Sequence, residues 1–272
     1  MDFAGPIRLT PIQSKDGVHV YRVLAEKGRY VLKYFEAEPF RREIRAYQIL
    51  AFAGIPTVEV FSYTDRSLLM EDISHSRFFR MGREEDLSDS GTARRIAGWY
   101  RQLHEKGADA ADLPDLYRET DCLTAERIGT MERKGILPHS LAELLEKNLP
   151  KFHAIVNSLS ETLTYNDFYW TNLIAAADGS EARMLDYNLL GRGYRYADLR
   201  NVCSALSGEA AKAFLEEYGG FDPWEKQVDS VAAPLTALAI ACERETFPEW
   251  ADSSLETAKN GEMFYNLGKI LS

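Results

Sequence analysis

Over the first 73 residues apolar and β-branched positions alternate with polar ones or cluster in short runs, as half-buried strands require. Residues 18–24 and 29–35 are two such runs, and the turn-prone Glu26-Lys27-Gly28 between them predicts a hairpin. The period then changes. From residue 39 to 53 the apolar side chains Phe40, Ile44, Tyr47 and Leu50 fall on one helical face, with Pro39 at the start and Gly54 as the stop. Two further strand runs, 57–63 and 67–70, are joined by Thr64-Asp65-Arg66. The predicted order is β-β-α-β-β.

Beyond a polar stretch at 74–90 the spacing becomes helical, with segments near 91–106, 119–134 and 139–158, the last opening after Pro138. An extended region follows at 161–186. Helices resume from about residue 198 to the end, punctuated by Gly219-Gly220 and Pro248. The pattern therefore predicts an α+β chain with a small β-rich part at 1–73 and a larger, mainly helical part at 74–272. No internal repeat is visible.

Composition narrows the function classes. With 272 residues, 45% hydrophobic and 27% charged, the chain can bury a sizeable core. A net charge of −10 argues against a general nucleic-acid or anionic-membrane binder, both of which need surplus Lys and Arg. Cys122, Cys203 and Cys242 lie too far apart for a disulfide framework or a zinc knuckle and are expected to be buried, reduced thiols. The opening residues carry no basic stretch followed by an apolar one, and the apolar run around 232–242 is interrupted by Pro234 and Thr236. The expectation is a cytoplasmic chain with no leader and no membrane span; the oligomeric state stays open.

The chemistry concentrates in Leu163-Thr-Tyr-Asn-Asp-Phe-Tyr-Trp-Thr-Asn-Leu-Ile174 and Met184-Leu-Asp-Tyr-Asn188. Phosphoryl transfer from a nucleotide needs a carboxylate to orient and deprotonate an attacking hydroxyl, and hard oxygen ligands for Mg²⁺. Asp167 suits the first role, Asn172 and Asp186 the second. Upstream, Lys33 ends a predicted strand, where its ammonium can reach phosphates, and Glu43 on the next helix can hold it there. Residues 68–73 run from a buried strand into a polar segment, as a hinge beside an adenine ring would. Taken singly, Lys33 and Glu43 suit solvent-facing surfaces, and Asp167 and Asn172 suit turns. Asp186, next to Met184-Leu185 in an apolar strand, calls for a cation. The order of the set, more than any member, carries the reading.

In that order the chain resembles the aminoglycoside phosphotransferase and choline kinase-like family of small-molecule kinases, within the protein-kinase-like fold, from about residue 12 to 201. The resemblance implies a two-lobe fold, with a nucleotide-binding lobe at 1–73 and a helical lobe at 74–272 bearing the catalytic loop and acceptor site. It implies Asp167 as the catalytic aspartate, Asn172 and Asp186 as Mg²⁺ ligands and Lys33 with Glu43 as the phosphate-binding pair. Met70 falls at the gatekeeper position, with the Glu71 carbonyl and Ile73 amide facing the base of ATP, or of GTP as the alternative. Asp198 would brace the catalytic loop, and Leu103-His104 matches the family's Leu-His, with His104 read as a packing or hydrogen-bonding residue. Three features depart from the family's pattern: Tyr165 stands where a histidine is usual, the phosphate-covering loop at 13–18 has a single glycine, and Glu43 follows Lys33 by only ten positions, closer than the pattern leads one to expect.

Only twelve positions separate Asp186 from Asp198 and no A-P-E follows, which leaves little room for a peptide platform and favours a small hydroxyl acceptor. Phe168, Tyr169 and Trp170 are expected in the core, with Tyr169 or Trp170 on the acceptor site as the alternative. Residues 200–272 carry six Lys/Arg against twelve Asp/Glu, net −6, and Glu243, Glu245, Glu249, Asp252 and Glu256 interleave with Phe247 and Trp250. That mixture suits an amine-bearing acceptor. The reading kept beside the kinase is a nucleotide-binding pseudokinase acting through protein contacts.

Overall fold

The structure, a computed structural model, describes residues 5–110, 113 and 116–272. The opening residues 1–4, part of the stretch read above for a leader, lie outside the described residues. The predicted hairpin is present: β2 (Val18–Ala25) pairs antiparallel with β3 (Gly28–Phe35), in register from Val18 opposite Phe35 to Ala25 opposite Gly28. Ahead of it lies a strand the pattern did not predict, β1 (Arg8–Lys15), paired antiparallel with β2. All eight residues of β1 are exposed, so no face of it alternates. It sits at the sheet edge, where Pro11 costs no ladder bond and the register shifts between Pro11 and Gln13.

The predicted helix follows as α1 (Arg42–Phe52), preceded by a short 3-10 turn and burying Glu43, Ile44, Ala46, Tyr47, Ile49 and Leu50. With β4 (Val60–Tyr63) and β5 (Ser67–Glu71) the sheet has the order β1-β2-β3-β5-β4, antiparallel throughout. The observed succession is β-β-β-α-β-β.

In chain order the later elements are β6 (Phe79–Met81), α2 (Ser90–Gly107), α3 (Ala125–Arg133), α4 (His139–Asn157), β7 (Glu161–Thr164), β8 (Leu173–Ala176), β9 (Ala182–Met184), β10 (Gly191–Tyr194), α5 (Arg195–Ala205), α6 (Gly208–Tyr218), α7 (Pro223–Ala241), α8 (Asp252–Lys259) and α9 (Glu262–Leu271). The stretch read as uniformly polar at 74–90 contains β6, which pairs with β8, itself paired with β9. The helix expected at 119–134 is two pieces, a 3-10 turn at Glu119–Cys122 and then α3, because Thr124 caps α3 by accepting from Arg127 N at 3.2 Å.

Contacts group the chain into two units: 1–115, 162–190 and 198–220 form one, and 116–161, 191–197 and 221–272 the other. In the first unit the five-stranded sheet, α1 and the β6-β8-β9 sheet occur with α2 packed on α6. Helix α2 starts at Asp89, which accepts from Thr92 N at 2.6 Å, and buries a face bearing Ile96, Trp99, Tyr100, Leu103 and His104. The second unit is built on a core that includes Leu141, Phe152, Val231, Leu238 and Leu267. Of the cysteines, Cys242 is buried and Cys122 and Cys203 half-buried, all as free thiols. Among the described residues no helix is long and apolar enough to cross a membrane.

One close approach ties β6 to the loop that carries Asp167. Gly82 N donates to Leu173 O at 2.6 Å, and a Cβ on Gly82 would stand 2.3 Å from Trp170 O and 2.7 Å from Leu173 Cβ. We predict that Gly82→Ala lowers stability by roughly 1–3 kcal/mol through overpacking. Gly98→Ala in α2, with nothing within 4 Å of the added carbon, leaves stability unchanged or raises it by up to about 1 kcal/mol. Thermal unfolding of both variants checks the contrast.

Candidate active site

Strand β3 presents Lys33 to the buried side of the sheet, and α1 turns Glu43 toward it. Lys33 Nζ donates to Glu43 Oε2 at 2.6 Å and to Asp186 Oδ1 at 3.0 Å. Lys33 is 9% exposed and Glu43 1%, so neither charge would be tolerated alone. Burial pulls the lysine's pKa down, and the Glu43 and Asp186 carboxylates more than offset it, leaving the ammonium firmly charged. Burial pushes Glu43 up to about 7, against the pull of Lys33 and with added repulsion from Asp186.

The loop after β7 is held from below. Asp198, fully buried, accepts from Tyr165 N and Asn166 N, each at 2.8 Å, and faces His104 Nε2 at 3.1 Å. A carboxylate only accepts here, so Nε2 carries the proton and Nδ1 takes the Tyr218 hydroxyl at 2.7 Å. His104 is thus a buried hydrogen-bonding residue, as its sequence context suggested. Asn166 adopts a left-handed φ of 64°, tolerable for Asn, and its amide donates to Thr164 Oγ1 at 2.9 Å and Leu189 O at 3.1 Å. This turn sets up Asp167. Asn172 Nδ2 donates to the Asp167 carbonyl at 3.1 Å and to its Oδ2 at 3.4 Å, which leaves the Asn172 amide oxygen as an acceptor. Burial, then repulsion from Asp186, pushes the Asp167 carboxyl up to about 6, against the Asn172 bond and Lys33.

Asp186 itself sits at φ 57°. Three bonds fix the chain around it: Leu185 N donates to Asn172 O at 2.7 Å, Tyr187 Oη to Met184 O at 2.6 Å, and Tyr165 Oη to Leu185 O. Tyr165 is fully buried among Trp99, Tyr100 and Tyr187. The residue that stands where the resemblance expects a histidine therefore links the loop that carries Asp167 to the Asp186 turn through its hydroxyl. Of the three aromatics expected in the core, only Phe168 is buried, at 2% exposure; Tyr169 is 63% and Trp170 37% exposed. The short 3-10 turn at Trp170–Asn172 faces these two side chains outward.

Every site residue singled out from the sequence lines one cavity of about 520 Å³. Met70, Glu71 and Ile73 form one stretch of its wall where β5 ends, and Asp167, Asn172 and Asp186 another. The cavity also takes in Lys15, Asp16, Arg22, Thr171 and Asn188, which the sequence reading did not select as site residues. Lys15 and Asp16 had a signal in the glycine-poor run 13–18. That run forms a tight turn with Asp16 and Gly17 both at positive φ, the geometry of a two-residue hairpin, and Gly17 O accepts from Glu36 N at 2.8 Å and Ala37 N at 3.2 Å. Thr171 and Asn188 lay inside the two runs singled out above, whereas Arg22 was invisible because only the fold brings it to the cavity.

The oxygen donors fit Mg²⁺. Among the described residues no group of three or more His, Cys, Asp or Glu side chains converges as a dedicated metal cage would. One carboxylate and one amide oxygen opening on a cavity is a donor set for an ion that keeps waters and takes its remaining ligands from phosphates.

A sequence model of the phosphotransferase enzyme family matches residues 8–227. The chain belongs to the phosphotransferase enzyme family. No curated protein sequence matches this phosphotransferase, but solved structures do. A choline/ethanolamine kinase family protein from Mesorhizobium loti is similar with a TM-score of 0.67 at 16% identity, covering 99% of this chain and 93% of its own. The macrolide 2′-phosphotransferase MphH from Brachybacterium faecium gives 0.61 at 17%, covering 91% of each chain. The choline kinase LicA from Streptococcus pneumoniae gives 0.58 at 13%, covering 92% and 89%, and a second LicA structure is a complex with AMP. At these identities the likeness shows the fold, which is kinase-like: a β-rich N-terminal part and a mainly helical remainder.

Within this phosphotransferase the Tyr165 hydroxyl is the bond to test. Tyr165→Phe strips the Leu185 carbonyl of its donor, and we predict a loss of roughly 1–3 kcal/mol in chemical unfolding, the cost of orphaning a buried polar group. Phosphoryl transfer falls with it, measured on the folded variant.

Proposed function

We propose that this phosphotransferase is a small-molecule kinase that moves the γ-phosphate of a Mg²⁺-nucleotide to a hydroxyl of a small, amine-bearing acceptor. The observation that carries the reading is the convergence of Lys33, Asp167, Asn172 and Asp186 on one cavity whose far wall is the Met70–Ile73 stretch. In this reading residues 1–73 are the nucleotide-binding lobe, and residues 74–272 supply the catalytic loop and acceptor site. The nucleotide is ATP, with GTP as the alternative; the AMP held by LicA supports an adenine nucleotide. Soluble, small substrates of this kind fit a cytoplasmic enzyme.

Asp167 accepts the proton of the attacking hydroxyl and orients it. Its raised carboxyl, about 6 before any cation binds nearby, keeps it basic at neutral pH. Asn172 and Asp186 would hold Mg²⁺, which would supply positive charge against the charge that builds on the phosphates during transfer. Lys33 neutralises phosphate oxygens, and Glu43 keeps its ammonium aimed. Lys15, at the hairpin tip, supplies a charge where a glycine-rich loop would supply backbone amides. The pseudokinase alternative gains no support from membership of a family of phosphotransferase enzymes.

The amine rests on charge. Glu245, Glu249, Asp252 and Glu256 are exposed, Trp250 is exposed among them, and Glu243 is paired with Arg127. Exposed Tyr169 and Trp170 beside Asp167 add ring faces for a cation. Choline and ethanolamine, the acceptors in the names of two neighbours, are amino alcohols.

A coupled ADP-release screen over simple alcohols, amino alcohols, sugars and aminoglycosides tests the reading. An amine-bearing acceptor is expected to turn over best, with KM rising as salt screens the attraction beyond about 8–10 Å. Asp167→Ala is expected to bind Mg²⁺-nucleotide normally and to lose on the order of a hundredfold or more in turnover. Turnover unchanged in that variant, or a neutral sugar preferred with salt-independent KM, contradicts the respective assignment.

A further inference from the structure

The stretch assigned above to the nucleotide base contains a charge that this assignment does not use. Asp72 lies between Glu71 and Ile73, and its carboxylate is 3% exposed although it lines the cavity. Four contacts saturate it. Arg22 Nε donates to Oδ2 at 2.8 Å, His75 Nδ1 lies 3.0 Å from the same oxygen, and Ser74 reaches Oδ1 with its amide at 3.2 Å and its hydroxyl at 2.5 Å. Arg22 Nη2 donates in turn to Ser74 Oγ at 2.9 Å.

Arg22 comes from the middle of β2, opposite Val31 of β3, fifty residues before Asp72. Among the described residues its guanidinium is the sole Lys or Arg partner of Asp72, and it also lines the cavity. Burial pushes the Asp72 carboxyl up, and the bonds from Ser74 and Arg22 outweigh it, so the group stays ionised. A buried carboxylate at this place costs stability unless it is held, and what holds it fixes the peptide planes on both sides of it. Those planes end in the Glu71 carbonyl and the Ile73 amide.

We propose that Arg22 is a positioning residue for the nucleotide base, acting through Asp72 to hold the Glu71 carbonyl and Ile73 amide at the angle that base recognition needs. The inference rests on the kinase reading. The fork matters as well as the charge: Arg22 bonds Asp72 and Ser74 at once from one planar group, which a lysine ammonium cannot reproduce with the same geometry. Without the fork, Asp72 turns toward water and carries the two peptides with it. The device acts on the base and leaves the phosphate end of the cavity, at Lys33 and Asp186, as it was.

That division supplies a test. Calorimetric titrations of wild type, Arg22→Leu and Arg22→Lys use two probes, Mg²⁺-ATP and Mg²⁺-tripolyphosphate, the second having phosphates and no base. For Arg22→Leu the expected result is Mg²⁺-ATP binding weakened about tenfold, with tripolyphosphate binding unmoved. Arg22→Lys is expected to fall between the two. Thermal unfolding of each variant runs alongside. Equal weakening of both probes, or a lower melting temperature with ATP affinity unchanged, would mean that the pair only supports the fold and overturns the proposal. Tight ATP binding by wild type and Arg22→Leu alike overturns it while leaving the kinase reading standing. Absence of Mg²⁺-ATP binding by wild type overturns both.

Discussion

One buried ammonium shared by two carboxylates organises the site. Lys33 reaches Glu43 at 2.6 Å and Asp186 at 3.0 Å, and among the described residues no other cation pairs with Glu43. The constraint propagates outward. Glu43 can sit on the buried face of α1 only because Lys33 meets it there. Asp186, 153 residues further on, is drawn to the same point. In the proposed reaction the same lysine meets phosphates and the same aspartate a cation, so the resting pair stores the two groups at the position where the nucleotide needs them.

A second constraint acts from the other side of the loop that carries Asp167. Asp198 takes two consecutive backbone amides, which forces the bend that puts Asn166 in the left-handed region and aims Asp167 at the cavity. In the Tyr218–His104–Asp198 chain the histidine and the aspartate are buried and hydrogen-bonded, the condition under which a polar network stiffens a structure instead of weakening it. Tyr165 then ties this loop to the turn at Asp186. The site is therefore rigid at its two carboxylates, while the exposed rings of Tyr169 and Trp170 lie on the solvent side of the same loop.

The parts of this arrangement that were legible in the sequence are those in which side-chain chemistry and local period coincide. The hairpin, α1 and the Asp167-Asn172-Asp186 spacing each announce themselves within a window of a few residues to about twenty. Lys33 and Glu43 were legible as a pair only through their order along the chain, since each alone suits a surface. Strand β1 was not legible, because an edge strand exposed on both faces has no alternation to read, and β6 was hidden by its brevity in a polar stretch. The outward turn of Tyr169 and Trp170 follows from a 3-10 turn between two strands, which the apolar character of the run concealed. The Arg22–Asp72 pair and the Tyr165 hydroxyl bond join residues tens of positions apart, which no local pattern encodes.

The central claim is that Asp186 and Lys33 form a Mg²⁺-nucleotide site. The most direct measurement is calorimetric titration of wild type and Asp186→Asn with ATP, each with and without Mg²⁺. Mg²⁺ is expected to tighten ATP binding by wild type, and Asp186→Asn, which keeps the side chain's shape and removes its charge, to lose about tenfold or more of the Mg²⁺-dependent affinity. Equal Mg²⁺-ATP affinity in the two proteins would contradict the claim and make Asp186 a structural partner of Lys33 alone.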